Sequence, residues 1–359
     1  MTQPVRQPRP LSGVVPPLVT PLLPGGEVDT VSLRRLVRYV VDSGVHGVFV
    51  LGSSGEGAFL TDRQREQVTA ETIDEVAGAV PVAVGVMDTG TARVADQLRR
   101  LLPYGIDAAV ATAPFYGSTH PIEITRHFEQ LAEVAGDVGV YAYDIPSRVG
   151  GTKLAPGTVL GLAESGAIAG VKDSSGQEVS LRRLLLGRRA RGLDDFMIFT
   201  GSETCTDAAM FNGVDGIVPG LGNVDPAGYV RIFDLMREGR HDDARLEQDR
   251  LLTMFDLIDV PDQQRMSHGS AALGAFKLAL HLLGVLDHVV VTARGVEFIP
   301  DEVAAVRRLL TDAGLMGPQG PGEGSQRDES GAASNGQRDQ AVHPGADQGL
   351  HSARASQAG

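Results

Sequence analysis

Short β-rich apolar runs alternate with longer amphipathic stretches along most of this chain, and this alternation restricts its fold more than any other feature. Eight such pairs follow one another within about 225 residues. The predicted strands are 14–19, 47–51, 82–86, 108–112, 138–143, 168–172, 196–200 and 216–218. The predicted helices are 30–43, 62–77, 91–102, 122–135, 156–164, 179–189, 203–212 and 226–238.

Strands that alternate with helices pair in parallel through right-handed crossovers. Eight such units at this length favour a closed (β/α)8 TIM barrel over an open doubly wound sheet, which is the alternative. We place the barrel at residues 11–225 and a C-terminal helical segment at residues 226–316. Further helices within that segment are predicted at 242–257, 270–283 and 301–313.

Two tails flank these regions. Residues 1–10 contain three prolines and two arginines and have no apolar stretch typical of a signal peptide. Residues 317–359 are rich in Gly, Gln, Ser, Ala and Asp and contain no aromatic residue or isoleucine. Such segments bury too little apolar surface to offset the entropy of ordering, so both tails are predicted to be disordered.

Charge and cysteine content exclude several classes of function. The formal net charge of -13 argues against nucleic acid and anionic membrane surfaces as partners, because both require clustered positive charge. No run of about 18 apolar residues is present to span a bilayer. Cys205 is the only cysteine, which excludes an internal disulfide and a cysteine-based metal site and is typical of a reducing compartment. We therefore expect a cytoplasmic protein that acts on small molecules.

Lysine is rare in this sequence and occurs only at positions 153, 172 and 277. Lys172 ends an apolar strand, and the carboxyl ends of strands carry the reacting groups in barrels of this kind. Lys153 in a Gly-rich loop and Lys277 in the middle of a helix have the sequence context of ordinary solvated charges. Lys172 is therefore the lysine that we expect to carry chemistry.

Other reactive side chains fall at equivalent positions. Tyr143 ends the fifth predicted strand, Ser53 and Ser54 follow the second strand within a Gly-rich turn, and Tyr116 follows the fourth. Each has an ordinary interpretation: a core tyrosine, turn or helix-capping serines, or a phosphate-binding loop. Together they fit a lysine that forms a Schiff base, a hydroxyl relay that moves protons, and backbone N–H groups that bind a carboxylate. This chemistry needs neither a metal ion nor a cofactor, and we expect none.

The chain resembles the dihydrodipicolinate synthase/N-acetylneuraminate lyase family of class I pyruvate aldolases. The matching motifs run in order between about residues 11 and 315. They are Thr20-Pro21, Gly52-Ser53-Ser54-Gly55-Glu56, Pro114-Phe115-Tyr116, Tyr143-Asp144-Ile145-Pro146-Ser147-Arg148, Gly170-Val171-Lys172-Asp173 and Thr200-Gly201-Ser202-Glu203. The combination in this order is specific, although no single motif is.

The resemblance implies roles for individual residues. Lys172 would form an imine with pyruvate, Tyr143 would transfer protons above it, and Ser53 would link Tyr143 to Tyr116. In this family the counterpart of Tyr116 comes from a neighbouring subunit, so the resemblance also implies a homodimer, usually doubled to a homotetramer. Ser54 would bind the pyruvate carboxylate. The pocket floor would be lined by backbone groups of Gly201 and Val218.

The resemblance also bears on the second substrate. Arg148 occupies the position at which the dihydrodipicolinate synthase branch carries an arginine, which implies L-aspartate-4-semialdehyde as the partner and 4-hydroxy-tetrahydrodipicolinate, on the lysine pathway, as the product. Three features depart from that branch: Asp144 replaces the typical asparagine and adds a negative charge near the mouth, Asp173-Ser174-Ser175 replaces Glu-Ala-Thr, and Pro219-Gly220 follows the eighth strand.

Two alternatives stay open at this stage. The first is a retro-aldolase that cleaves a 2-keto-3-deoxy sugar acid, N-acetylneuraminate or 4-hydroxy-2-oxoglutarate to pyruvate and an aldehyde, through the same imine. The second is a non-catalytic binding paralogue. The presence of Lys172, Tyr143, Ser53 and Tyr116 together argues against this second alternative.

Overall fold

The structure is a computed structural model that describes residues 8–293 and 297–317. Residues 1–7 of the predicted N-terminal tail and residues 318–359 of the predicted C-terminal tail lie outside the described residues. Across the described part, the chain contains eight strands and eleven α-helices.

The eight strands form one parallel sheet in the order β1-β8-β7-β6-β5-β4-β3-β2. All seven of these strand pairs are parallel. The strands are Gly13–Val14 (β1), Val48–Val50 (β2), Val82–Gly85 (β3), Ala108–Thr112 (β4), Gly139–Asp144 (β5), Gly170–Asp173 (β6), Met197–Thr200 (β7) and Gly216–Ile217 (β8).

The two ends of the sheet meet through a short contact between the chain after β1 and strand β2. Pro17 forms an isolated parallel bridge with Phe49. The Phe49 amide donates to the Pro16 carbonyl at 3.0 Å, and the Leu18 amide donates to the Phe49 carbonyl at 2.8 Å. The first strand is shorter than its predicted range 14–19 because Pro16 and Pro17 have no N–H to donate to a ladder. The closed (β/α)8 barrel predicted from the sequence is confirmed.

Each strand is followed by an α-helix, and three further helices complete the described part of the chain. The eight that follow strands are Thr30–Asp42 (α1), Asp62–Val76 (α2), Thr91–Leu101 (α3), Pro121–Ala135 (α4), Pro156–Glu164 (α5), Glu178–Ala190 (α6), Thr206–Asn212 (α7) and Pro226–Arg237 (α8). The last three are His241–Phe255 (α9), His268–Leu282 (α10) and Pro300–Asp312 (α11).

The C-terminal helices pack back onto the barrel. Helix α8 contacts β1, α7 and α9, while α10 contacts α11 and the short 3-10 helix Asp256–Asp259. Packing is thus continuous across residue 225, and a domain boundary at that residue stays a prediction. Within the described residues, none of the helices is both long and apolar enough to cross a membrane.

Two apolar layers hold the barrel together. Outward-facing strand residues such as Val140, Ala142 and Val171 pack beneath the helices in the larger cluster. Inward-facing residues form a smaller cluster inside the barrel that contains Tyr141 and Tyr143. The alternation follows from the pleat of a strand, which sends successive side chains to opposite faces. The residues that end β5 and β6 are therefore presented at the mouth of a filled barrel.

Candidate active site

Tyr143 and Lys172 are direct neighbours across the β5–β6 ladder. Both lie one residue before the end of their strands, at the carboxyl-terminal face of the barrel. The Lys172 amine lies 4.4 Å from the centre of the Tyr143 ring and 5.4 Å from the centre of the Phe49 ring. The residue is only 7% exposed. Its amine is thus held against aromatic faces, a favourable position for a cationic group.

Ser53 and Ser54 lie in the tight loop between β2 and α2. The Ser53 hydroxyl is 3.5 Å from the Tyr143 hydroxyl, and either group can donate in that hydrogen bond. The loop is closed by backbone hydrogen bonds from Gly57 to the Gly52 carbonyl and from Glu56 to the Ser53 carbonyl, both at 3.2 Å. The predicted hydroxyl contact between Ser53 and Tyr143 is therefore present in the fold.

One cavity of about 230 Å³ brings together most of the predicted site residues. Helix α10 contributes His268, Gly269 and Phe276 to its wall, a contribution that the sequence did not predict. The predicted residues that line the cavity are Ser53, Ser54, Tyr143, Arg148, Lys172, Gly201 and Val218.

Gly201 lies where a larger residue would collide with the lysine. A Cβ built at this position would be 3.1 Å from Lys172 Cε and 1.9 Å from Ser174 Oγ. The Gly201 amide donates to the Asp173 carbonyl at 2.8 Å, which fixes the loop beside the end of β6. Val218 is buried, and its amide donates to the Thr200 carbonyl at 2.9 Å. Both residues shape the cavity beside the lysine side chain.

Arg148 lies at the opening of the site. It lines the cavity that contains Lys172 and also a larger neighbouring cavity of about 690 Å³. Its two terminal nitrogens lie 3.0 Å from the position that a Cβ on Gly269 would occupy, so glycine there leaves room for the guanidinium. Among the described residues it forms no ion pair with a carboxylate of its own chain. An arginine in this state is suited to bind an anionic ligand.

Tyr116 lies apart from the other predicted catalytic residues. It is 98% exposed and has a positive φ of 86°. A side chain so exposed does not pack against Ser53 or Tyr143 within one chain. Its predicted role in the hydroxyl relay requires a second subunit and stays a prediction.

Two expectations about charges near the site are wrong. Asp144 does not add a charge to the mouth: it is buried and forms an ion pair with Lys153. It also accepts the Leu154 amide at 3.1 Å. Burial raises the pKa of Asp144, while Lys153 opposes that shift. Lys153 also lies 3.9 Å from Asp173, the neighbour of Asp144 across the ladder, and is therefore not a solvated loop charge.

Lys277 is also not an ordinary solvated charge. Its side chain is fully buried and forms an ion pair with Glu56, in the loop that carries Ser53 and Ser54. Burial lowers the pKa of Lys277, and the Glu56 carboxylate opposes this effect. The sequence pattern did not predict this pair, because the two residues are 221 positions apart.

Glu203 is a site residue to which the sequence assigned no role. It lines the same cavity as Lys172, and its Oε1 accepts the Leu221 amide at 2.9 Å. Burial raises the pKa of Glu203 to about 7, against the opposing effects of nearby backbone N–H groups and Lys172. Its place in the motif after β7 was visible in the sequence, but its orientation depends on the loop after β8.

Comparison with known proteins places this architecture in a family. The model of the dihydrodipicolinate synthetase family matches residues 10–289. The chain belongs to this family. The match covers the barrel and extends through α10, so every cavity-lining residue discussed above lies within the matched range.

Relatives of this family member carry two kinds of name. An uncharacterized DapA-like lyase of Halobacterium salinarum is 33% identical over 307 residues, 85% of this chain and 95% of that protein. A 4-hydroxy-tetrahydrodipicolinate synthase of Xanthomonas campestris is 32% identical over 241 residues, 67% of this chain and 78% of that protein. Both relatives therefore support the description of this chain as a lyase of the dihydrodipicolinate synthetase family.

Solved structures of the family share the fold. The structure of YagE, a prophage protein of E. coli K12 from this family in complex with pyruvate, has a TM-score of 0.77 at 25% identity and covers 85% of this chain and 99% of its own. A monomeric dihydrodipicolinate synthase variant has a TM-score of 0.76 at 25% identity, covering 85% of this chain and 98% of its own.

Proposed function

We propose that this lyase binds pyruvate as a Schiff base on Lys172 and condenses it with L-aspartate-4-semialdehyde to form 4-hydroxy-tetrahydrodipicolinate. The observation that carries the proposal is the position of the Lys172 amine, buried against Tyr143 in the cavity that also contains Ser53, Ser54 and Arg148.

In the first stage the Lys172 amine adds to the ketone carbon of pyruvate. The carbonyl oxygen is then protonated and leaves as water, which gives the imine. The methyl group of the imine next loses a proton and becomes an enamine carbon. Tyr143 lines the same cavity as Lys172, and its hydroxyl would supply and accept these protons, with Ser53 as its hydrogen-bonding partner. The pyruvate carboxylate would lie at the Ser54 loop, beside backbone N–H donors.

In the second stage the enamine carbon attacks the aldehyde carbon of the partner substrate. A new carbon–carbon bond forms, and the aldehyde oxygen takes up a proton. The amine of the bound semialdehyde then displaces Lys172 from the imine carbon, which closes the ring and frees the lysine. Arg148 would hold the carboxylate of the semialdehyde, because its guanidinium is available at the cavity opening. The synthase names of relatives at 31–33% identity support this choice of substrate, and with it a role in lysine biosynthesis.

A retro-aldolase is the second candidate. Glu203 adds a carboxyl group to the cavity, and such a group can accept hydrogen bonds from the hydroxyls of a 2-keto-3-deoxy sugar acid, N-acetylneuraminate or 4-hydroxy-2-oxoglutarate. The relatives from Halobacterium salinarum at 33% identity are named only as DapA-like lyases, which is compatible with either substrate class. A non-catalytic paralogue is the third candidate, and the assembled lysine and tyrosine argue against it.

We also propose that the functional unit is a homodimer or homotetramer in the cytoplasm. The exposed Tyr116 ring supports a partner subunit, because a large aromatic side chain left in water is an anchor for an interface. The single cysteine supports a reducing compartment. Measuring the mass of the purified protein in solution tests the oligomeric state. Fractionation of cells that express the chain tests the cytoplasmic location.

Borohydride reduction in the presence of pyruvate tests the imine. The expected result is a pyruvate-derived mass addition on the peptide that contains Lys172, absent from Lys172→Ala. An adduct on Lys153 or Lys277 instead, or no adduct, contradicts the mechanism. Two assays then separate the substrates: product formation from pyruvate with the semialdehyde, and pyruvate release from a panel of keto-deoxy acids. Unchanged synthase activity in Arg148→Ala would remove the reason to prefer the semialdehyde.

A further inference from the structure

The loop that carries Ser53 and Ser54 has an unfavourable backbone conformation at both ends. Leu51 and Glu56 have φ values of 59° and 56°, in the left-handed region that favours glycine. The Leu51 carbonyl fits only because its neighbours lack side chains: a Cβ on Gly57 or Gly85 would lie 2.1 or 2.2 Å from its oxygen. Non-glycine residues stay in such conformations only where surrounding contacts hold them there.

The side chain of Glu56, at the end of this loop, is held by the C-terminal part of the chain. Glu56 Oε1 pairs with the Lys277 amine on α10, and Glu56 Oε2 accepts the Thr292 amide at 2.6 Å. The Lys277 amine also donates to the Val290 carbonyl at 2.6 Å. Both carboxylate oxygens of the loop residue are therefore bound by groups beyond the barrel. Lys277 joins α10, the segment after it and the loop into one hydrogen-bonded unit.

Because the Lys277–Glu56 ion pair is buried, its main effect is on the geometry of the loop rather than on the stability of the fold. The Lys277 and Glu56 side chains are 0% and 1% exposed. Two apolar side chains could fill the same volume without the cost of removing two charges from water. Apolar side chains would not, however, fix the direction of the Glu56 side chain or of the backbone beside Ser53 and Ser54. The other loop contacts, from Thr20 to the Gly55 carbonyl and from Arg65 to the Gly57 carbonyl, do not involve the C-terminal helices.

We propose that Lys277 is a positioning residue that holds the Ser53–Ser54 loop in the geometry needed to bind pyruvate, through its ion pair with Glu56. The C-terminal helices thereby become part of the active site rather than an appendix to the barrel. The consequence for pyruvate binding rests on the proposed function above, whereas the consequence for the loop does not.

The full-length Lys277→Met variant tests both consequences. The first measurement is hydrogen exchange at the Glu56 and Gly57 amides, which we expect to accelerate by at least about ten-fold as the loop loosens. The second is the pyruvate concentration that gives half-maximal borohydride trapping on Lys172, which we expect to rise by at least about ten-fold. Trapping at saturating pyruvate should still reach the same peptide, because Lys172 itself is unchanged.

A matched control separates positioning from general destabilisation. Arg250→Met removes the ion pairs of a partly buried arginine with Asp225 and Glu247, among the C-terminal helices and away from the loop. It should lower stability without changing exchange in the loop or the half-saturating pyruvate concentration. If Lys277→Met does not fold, the double variant Glu56→Gln/Lys277→Met replaces it, because it leaves no unpaired buried charge and is expected to fold. It should still show the faster exchange in the loop and the higher half-saturating pyruvate concentration.

The possible outcomes are distinct. Wild-type exchange at Glu56 and Gly57 in a folded Lys277→Met or double variant would overturn the positioning role. Faster exchange with an unchanged half-saturating concentration would also overturn it, because the loop would then not limit pyruvate binding. If the wild-type protein forms no adduct on Lys172, the proposed function fails, and the exchange measurement alone decides whether Lys277 positions the loop.

Discussion

Tyr143 and Lys172 are partners across the β5–β6 ladder, and the lysine amine lies 4.4 Å from the centre of the tyrosine ring. The arrangement leaves the Tyr143 hydroxyl at the cavity, next to Ser53. A hydroxyl in this position can exchange protons with a substrate bound to the lysine.

We expect Tyr143→Phe to lower kcat by about 10²–10³-fold, because the ring is kept and the proton-transferring hydroxyl is lost. The matched control is Tyr141→Phe, on the same strand and facing the same interior. The Tyr141 hydroxyl accepts the Leu11 amide at 3.2 Å, so its loss should cost about 1 kcal/mol of unfolding free energy and little activity. Steady-state kinetics measures kcat for the two variants, and chemical denaturation measures their unfolding free energies. Equal losses of kcat in both variants would contradict a specific role for Tyr143.

Glu203 should make activity depend on pH close to neutrality. Its raised pKa of about 7 leaves the carboxyl largely protonated below that pH and ionised above it. If its ionised form accepts a hydrogen bond from the substrate, kcat/KM should rise with pH through about 7. In Glu203→Gln that inflection should disappear, whereas the exposed Glu129→Gln should keep it. An unchanged profile in Glu203→Gln would show that the carboxyl does not act during turnover.

His127 should make the fold less stable in acid. Its ring is buried on α4 beside Thr91, and burial lowers the pKa of His127 from 6.5 to about 4. The unfolded chain therefore binds a proton between these two pH values that the folded chain does not bind. The contribution to stability is present above pH 6.5 and is lost as the pH falls towards 4, by up to about 3 kcal/mol.

Chemical denaturation at a series of pH values measures this loss. We expect the free energy of unfolding of His127→Gln to change less between pH 6.5 and 4 than that of the wild-type protein. The control is His241→Gln, which replaces an exposed histidine on α9 and should leave the pH dependence of the unfolding free energy unchanged. Parallel slopes for His127→Gln and the wild type would mean that other groups cause the acid sensitivity.

Lys153 should stabilise the strand ends that carry the catalytic pair. It lies between Asp144 and Asp173, which directly follow Tyr143 and Lys172. Lys153→Met would leave two buried carboxylates side by side and should cost about 2–4 kcal/mol of unfolding free energy. Adding Asp144→Asn to Lys153→Met should recover most of that loss, because one of the two charges is then absent. If the double variant is no more stable than the single one, repulsion between the carboxylates is not the cause.

The sequence predicted the barrel and the cavity better than it predicted the charges around them. Strand ends follow from local patterns of apolar residues, so Lys172 and Tyr143 could be placed at the barrel mouth from their positions alone. The partners of Lys277 and Lys153 depend on which loops meet in three dimensions. Glu56 is 221 residues from Lys277, and no periodicity connects them. The predicted negative charge of Asp144 near the mouth is instead paired with Lys153, and although the two are nine residues apart, the sequence pattern does not show that the loop between them folds back.

Tyr116 provides the sharpest test of the proposed assembly. If the partner subunit supplies this hydroxyl, Tyr116→Phe should lower kcat, and a mixture of Tyr116→Phe with Lys172→Ala should regain activity. In a mixed dimer one site combines an intact Lys172 with an intact Tyr116 from the other subunit. Random pairing makes half the dimers mixed, so about a quarter of wild-type activity should return.

A second mixture is the control for this experiment. Lys172 and Tyr143 lie in the same chain's site, so Lys172→Ala mixed with Tyr143→Phe leaves every site defective and should regain nothing. Differently tagged subunits, mixed under exchange conditions and purified through both tags, give the rates of the mixed dimers directly. Recovery in both mixtures, or in neither, would mean that Tyr116 does not act across a subunit interface, and its exposure would need another explanation.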